Sequence, residues 1–190
     1  MRAESVTQEI RRALGDEVSG LECLSLVKDG PEHWELIYHF EHRGRGPITT
    51  DGRWCDRADL AQLIFAVPEQ RTLAERCLEE IEGTADPDLR LPWNCPGWTD
   101  QAEGWFEQQL SEMGHRLLQP IRSFYRHGLA NILHAETSAG EFYMKASSFL
   151  SMLADEPRLT CYLASVFPDL VPRPIRINTE RRWMLLPDLG

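Results

Sequence analysis

Apolar and polar positions follow two different rhythms along this chain. Residues 4–14 (ESVTQEIRRAL) have helical spacing and predict a short amphipathic helix closed by Gly15. Residues 21–27 (LECLSLV) and 33–41 (HWELIYHFE) are rich in branched and aromatic side chains. They predict two strands, a hairpin or close neighbours, around the turn signal KDGPE. HRGRGPITTDG at 42–52 is loop. Helical spacing returns at Asp59–Ile64 and Glu69–Ile81, where Leu73, Cys77, Leu78 and Ile81 share one face. The rhythm then breaks. Residues 83–100 (GTADPDLRLPWNCPGWTD) carry three prolines and two glycines, which exclude a continuous helix or a central strand. Trp93 and Trp98 in that stretch call for burial, so it reads as an ordered connector.

Beyond it, Thr99 is the expected cap of a helix over 100–113 that turns Trp105, Phe106 and Leu110 inward and stops at Gly114. The pattern from Pro120 is β. IRSFYRHGLANILHAET and EFYMKAS flank the turn SAGE and predict antiparallel strands near 121–126, 130–137 and 141–146. A helix over 156–166 follows, with Glu156 at its start and Pro157 suited to a first helical position. PDLVPRP is loop, and PIRIN and RRWMLLPD are two more strands around the turn TERR. The fold class is α+β: a small accessory α+β module over 1–83, an ordered Trp/Pro connector and helix over 84–119, and an antiparallel sheet with one helix over 120–190.

Charge narrows the functions available. The chain has 190 residues, with 20 Lys+Arg against 30 Asp+Glu and a formal net charge of −10. That balance opposes nucleic acid and polybasic membrane-surface partners, which require a basic face. No apolar stretch reaches the length of a membrane span, and the N-terminus lacks the apolar core of a secretory signal. The five cysteines are scattered and form no C-x-x-C, which fits reduced thiols in the cytoplasm. The six histidines show no metal-ligand spacing, so no metal site is expected. Glu79 and Glu80, adjacent on a helix, read as a solvated face, with metal binding the less favoured alternative.

Only two of the 20 basic residues are lysines, Lys28 and Lys145. Lys145 sits within the apolar strand Phe142-Tyr143-Met144-Lys145-Ala146, where a cation is costly unless it is paired or reaches water. A compact point charge there suits the phosphates of a nucleotide. The bland alternative is an edge-strand lysine pointing to solvent. Glu156 is the candidate partner, and its own bland role is that of an acid at a helix N-terminus. A hairpin, a strand lysine, a helix opening on a carboxylate and two further strands is the order of a protein-kinase-like small lobe. In such a lobe the strand lysine grips the α- and β-phosphates and a helix glutamate orients it.

With those residues in view, 85–190 resembles the N-terminal lobe of the aminoglycoside phosphotransferase family, which includes choline-kinase-like enzymes. The segments that carry the resemblance are LRLPWNCPGWTDQAEGWFEQQL, IRSFYRHGLANILHAETSAGEFYMKAS, DEPRLTCYLASVFPDLVPRPIRI and RRWMLLPDLG. The resemblance implies that Lys145 is the phosphate-binding lysine and Glu156 its partner. It implies that Arg126, His127, Gly128 and Leu129 form the turn covering the nucleotide, and that Met184, Leu185 and Leu186 lead into the adenine-contacting hinge. It implies ATP with Mg²⁺ as cofactor and a small-molecule hydroxyl as acceptor.

Two departures stand out. The turn has one glycine instead of a G-x-G-x-x-G run, and no His-Gly-Asp is present to begin a catalytic loop. The expectation is an N-terminal fragment that ends where the hinge begins, without catalytic residues and inactive alone. The alternative is a non-catalytic binding or regulatory module on the same scaffold. A half-cleft of this kind would leave Trp183 and Leu185 exposed and prone to self-association. The first module weakly resembles the tail of a Nudix-type fold. Its hydrolase motif is absent, so it reads as a degenerate accessory module.

Overall fold

Strand alternation decides the architecture of the C-terminal half. On β5 (Gly140–Ser147), Phe142, Met144 and Ala146 are buried, whereas Tyr143 and Lys145 are half-buried and Glu141 is exposed. Successive side chains on a strand point to opposite faces, so these two sets line two surfaces of one sheet. The computed structural model describes residues 9–10, 12–13, 18–28, 34–44, 53–83, 90–150, 152 and 155–189. It divides the chain into two compact units, Met1–Gly97 and Trp98–Gly190. The division falls inside the expected connector: Pro92–Asn94 lies in the first unit and the helix after it in the second. The chain is mixed α+β with two antiparallel sheets.

In the first unit, β1 (Val18–Lys28) pairs antiparallel with β2 (Trp34–His42), with register shifts at Gly20/Glu22 and Cys23/Ser25. Helix α1 (Arg57–Gln62) starts in a capping box: the Asp56 side chain accepts from the Asp59 amide, and the Asp59 carboxylate accepts in return from the Asp56 amide. Helix α2 (Pro68–Ile81) follows. Arg71 joins the two helices by donating to the carbonyls of Leu60 and Leu63. Pro92–Asn94 forms a 3-10 turn that buries Trp93. Most of the expected helix 4–14, the KDGPE turn, residues 45–52 of the expected loop and residues 84–89 of the connector lie outside the described residues; residues 9–10 and 12–13 are helical.

Two expectations fail on α2. Ile81 is exposed, because it closes the helix beside the surface ion pair Arg57–Glu82. Glu80 is not solvated: its side chain is 2% exposed and pairs with Arg90 and Arg76.

The second unit opens with α3 (Trp98–Glu112). This helix begins one residue before the expected Thr99 cap, which instead falls within its first turn. Trp98 is buried edge-on against Trp183, and that packing draws it into the helix. Gly114, with φ 77°, ends the helical region in the left-handed conformation that glycine adopts without steric cost.

Strands β3 (Arg122–Arg126), β4 (Ala130–Thr137), β5, β6 (Arg176–Asn178) and β7 (Trp183–Pro187) form one antiparallel sheet of order β3-β4-β5-β7-β6. Helix α4 (Glu156–Val166) lies between β5 and β6 in the chain, and β7 returns to pair with β5. Lys145 is therefore on the central strand, not an edge.

The core lies between α3 and one face of this sheet. Register aligns Leu133 with Met144 and Leu185, and Ala135 with Phe142. Ala102, Phe106 and Leu110 of α3 are buried, Trp105 lies 5.6 Å from Trp183, and His115 stacks on Phe142 at 5.2 Å. Trp183 and Leu185, expected at an exposed surface, are 2% and 0% exposed because this face is covered. Phe106 is fully enclosed, so Phe106→Ala is expected to destabilise the second unit by about 3–5 kcal/mol, read from denaturant unfolding.

Candidate functional site

The face of the sheet opposite α3 carries the candidate site. Lys145 on β5 aligns with Ile132 on β4 and Met184 on β7. Lys145 Nζ is ion-paired with Glu156 Oε1 at the start of α4. The other oxygen, Oε2, accepts from the Ser147 hydroxyl, two residues along the same strand face. Pro157, fully buried at the second helical position, follows Glu156 in the first turn of α4. The Leu159 amide closes that turn on the Asp155 carbonyl at 2.8 Å. Both oxygens of Glu156 are thus engaged, and the Lys145 ammonium has a fixed counter-charge. The side chains remain 27% and 21% exposed, so a polyanion could still approach the ammonium. A strand motif alone does not disclose the serine's part.

The turn Arg126–Leu129 sits at the same end of the strands. The His127 amide donates to the Ala130 carbonyl at 3.0 Å, and the Leu129 amide donates to His127 Nδ1 at 3.0 Å. The Ser148 amide donates to the Leu129 carbonyl, which ties the turn to the strand end beyond Lys145. All four turn residues are exposed. A Cβ at Gly128 would meet nothing within 4 Å, so the turn leaves open space there.

The three β7 residues separate. Met184 and Leu186 share the face of Lys145, whereas the Leu185 side chain points into the core beneath α3. Only the backbone of Leu185 could meet a ligand on the Lys145 face.

Farther along this face the structure adds residues that sequence reasoning did not single out. Phe124, His134 and Tyr143 form an aromatic cluster, with Tyr143 5.4 Å from Phe124 and 5.0 Å from His134. Arg122 Nε donates to His134 Nδ1 at 3.3 Å, which leaves His134 Nε2 to carry the ring proton and donate to Glu141 Oε2 at 3.0 Å. The Tyr143 hydroxyl donates to the same oxygen at 3.0 Å. The rings form an apolar, planar-walled surface, and the polar groups at its margin are satisfied. Register was the signal that could have found it, since Tyr143 lies two positions from Lys145 on the strand.

A scan against protein-family models finds no match, and searches of the curated proteins and of the solved structures likewise return none. Among the described residues, no helix is long and apolar enough to cross a membrane.

The hydrogen bond from Tyr143, followed by that from His134, holds the Glu141 carboxyl below the usual carboxylate range. A carboxylate with a depressed folded-state pKa stabilises the fold above its unfolded pKa. That contribution is lost as pH falls through the lower folded value. Tyr143→Phe is therefore expected to raise the Glu141 titration midpoint, followed by NMR. An unchanged midpoint would show that the hydroxyl contributes nothing to the shift.

Proposed function

We propose that this chain supplies the nucleotide-binding lobe of an ATP-dependent small-molecule phosphotransferase of the aminoglycoside phosphotransferase type. The observation that carries this reading is the Lys145–Glu156 ion pair between the central strand and the helix that follows it. A lysine fixed by a helix glutamate is the device that kinase-like enzymes use to hold the α- and β-phosphates. The strand order supports the same reading: a hairpin leads into the lysine strand, and β7 returns beside it.

In this assignment Lys145 binds the phosphates, Glu156 orients it, and Arg126, His127, Gly128 and Leu129 cover them from the hairpin turn. Leu186, half-buried, approaches the base, with Met184 buried on the same face and the Leu185 side chain in the core. The aromatic cluster of Phe124, His134 and Tyr143 offers an apolar wall beside it. Mg²⁺ and the hydroxyl acceptor would be held by a second lobe carrying the catalytic Asp and the metal ligands. The five free cysteines favour a cytoplasmic setting.

A second reading, a non-catalytic binding module, draws on the turn. Its one glycine does not adopt a positive φ, so the backbone is not shaped by the conformations reserved for glycine. Phosphoryl transfer from ATP to a hydroxyl acceptor would favour the enzyme. Nucleotide binding without transfer would favour the module.

The test is MgATP affinity, measured calorimetrically. Lys145→Met is expected to weaken binding at least ~10-fold, and Glu156→Gln by a smaller factor, because loss of a charge-assisted contact costs about 1.5–3 kcal/mol. Equal affinity in well-folded Lys145→Met would refute the assignment.

A further inference from the structure

The first unit contains a second group of converging polar side chains, unrelated to the nucleotide reading. Glu22 on β1, His39 on β2 and Glu80 near the end of α2 each offer a ligand atom, and the three atoms lie within 4.8 Å of one another. His39 Nδ1 is 3.3 Å from Glu80 Oε2, with side chains 9% and 2% exposed. Neither atom has a hydrogen-bond partner. A buried imidazole nitrogen and a buried carboxylate oxygen facing each other outside hydrogen-bond geometry call for a bridging proton or metal cation.

One oxygen of each carboxylate is already used. Arg90 donates to Oε1 of both Glu22 and Glu80, and Arg76 adds weaker ion pairs to the same two atoms. The arginines therefore orient the carboxylates and leave the second oxygen of Glu80 turned toward the imidazole. Outer-shell groups commonly orient metal ligands in this way.

We propose that Glu22, His39 and Glu80 form a binding site for a divalent transition-metal cation of the Zn²⁺ class. Ligand atoms about 2.0–2.2 Å from Zn²⁺ at tetrahedral angles stand about 3.3–3.6 Å apart, which the His39–Glu80 separation meets as it stands. Glu22, 20% exposed and flanked by two irregularities in the strand pairing, has room to close the remaining gap. Three protein ligands leave a fourth position for water. The imidazole nitrogen favours a transition metal over Mg²⁺, which prefers an all-oxygen octahedron. Cys77 and Cys95 lie outside the cluster and are not ligands in this proposal.

The test is equilibrium dialysis of the full chain against Zn²⁺, with the bound metal measured by atomic absorption. The native chain is expected to take up one equivalent, and excess Mg²⁺ should not displace it. The double variant Cys77→Ser/Cys95→Ser should retain it. His39→Asn and Glu22→Gln should each weaken binding at least ~10-fold, about 1.4 kcal/mol or more. Circular dichroism checks each fold, and the partly exposed Glu22 provides the variant least disruptive to packing. The proposal is overturned by no uptake in the native chain, by an equivalent that survives in folded Glu22→Gln, or by one that disappears with the thiols.

Discussion

A positive charge on the middle strand of a sheet must be neutralised from one side, and the second unit is organised around that requirement. Lys145 has neighbouring strands on both flanks, so its counter-charge has to arrive from above the sheet. Helix α4 delivers it through Glu156, whose carboxylate is also held by Ser147. The opposite face is then free to be mainly apolar, and α3 covers it with Ala102, Phe106 and Leu110. Removing either partner would leave the other charge half-buried and uncompensated, a larger penalty than an exposed ion pair would incur. The pair therefore fixes where α4 starts.

Much of this arrangement was readable before any coordinates. The strands of the second unit alternate cleanly, their turns contain Gly140 or polar residues, and Pro157 marks a helix start. Each boundary consequently falls within a residue or two of its expected place. Lys145 and Glu156 were legible because a lone lysine in an apolar strand demands a partner. Orientation was harder to read. The burial of Trp183 and Leu185 depends on α3 lying across their face, a tertiary fact that strand periodicity does not contain. The start of α3 was shifted by the packing of one tryptophan, which outweighed a capping preference worth about 1 kcal/mol.

The least legible feature was the cluster in the first unit. Glu80 belongs to a run of charged positions on α2 that reads as a solvated surface, and nothing local marks it as buried. Its partners lie on two strands distant in sequence, and Arg90 comes from the stretch read as an ordered connector. Clusters assembled from such separate places leave no spacing to recognise. They become visible only through burial and the absence of a hydrogen-bond partner.

Trp183 gives the second unit a built-in optical reporter. Its ring packs against Trp98 and Trp105 in the core, and the Arg181 guanidinium lies 4.9 Å from its centroid. The next residue, Met184, belongs to the opposite face and sits beside Lys145 in the register. One strand thus carries an indole into the core and a thioether beside the lysine, so the emission of Trp183 reports on the packing of the strand that flanks Lys145.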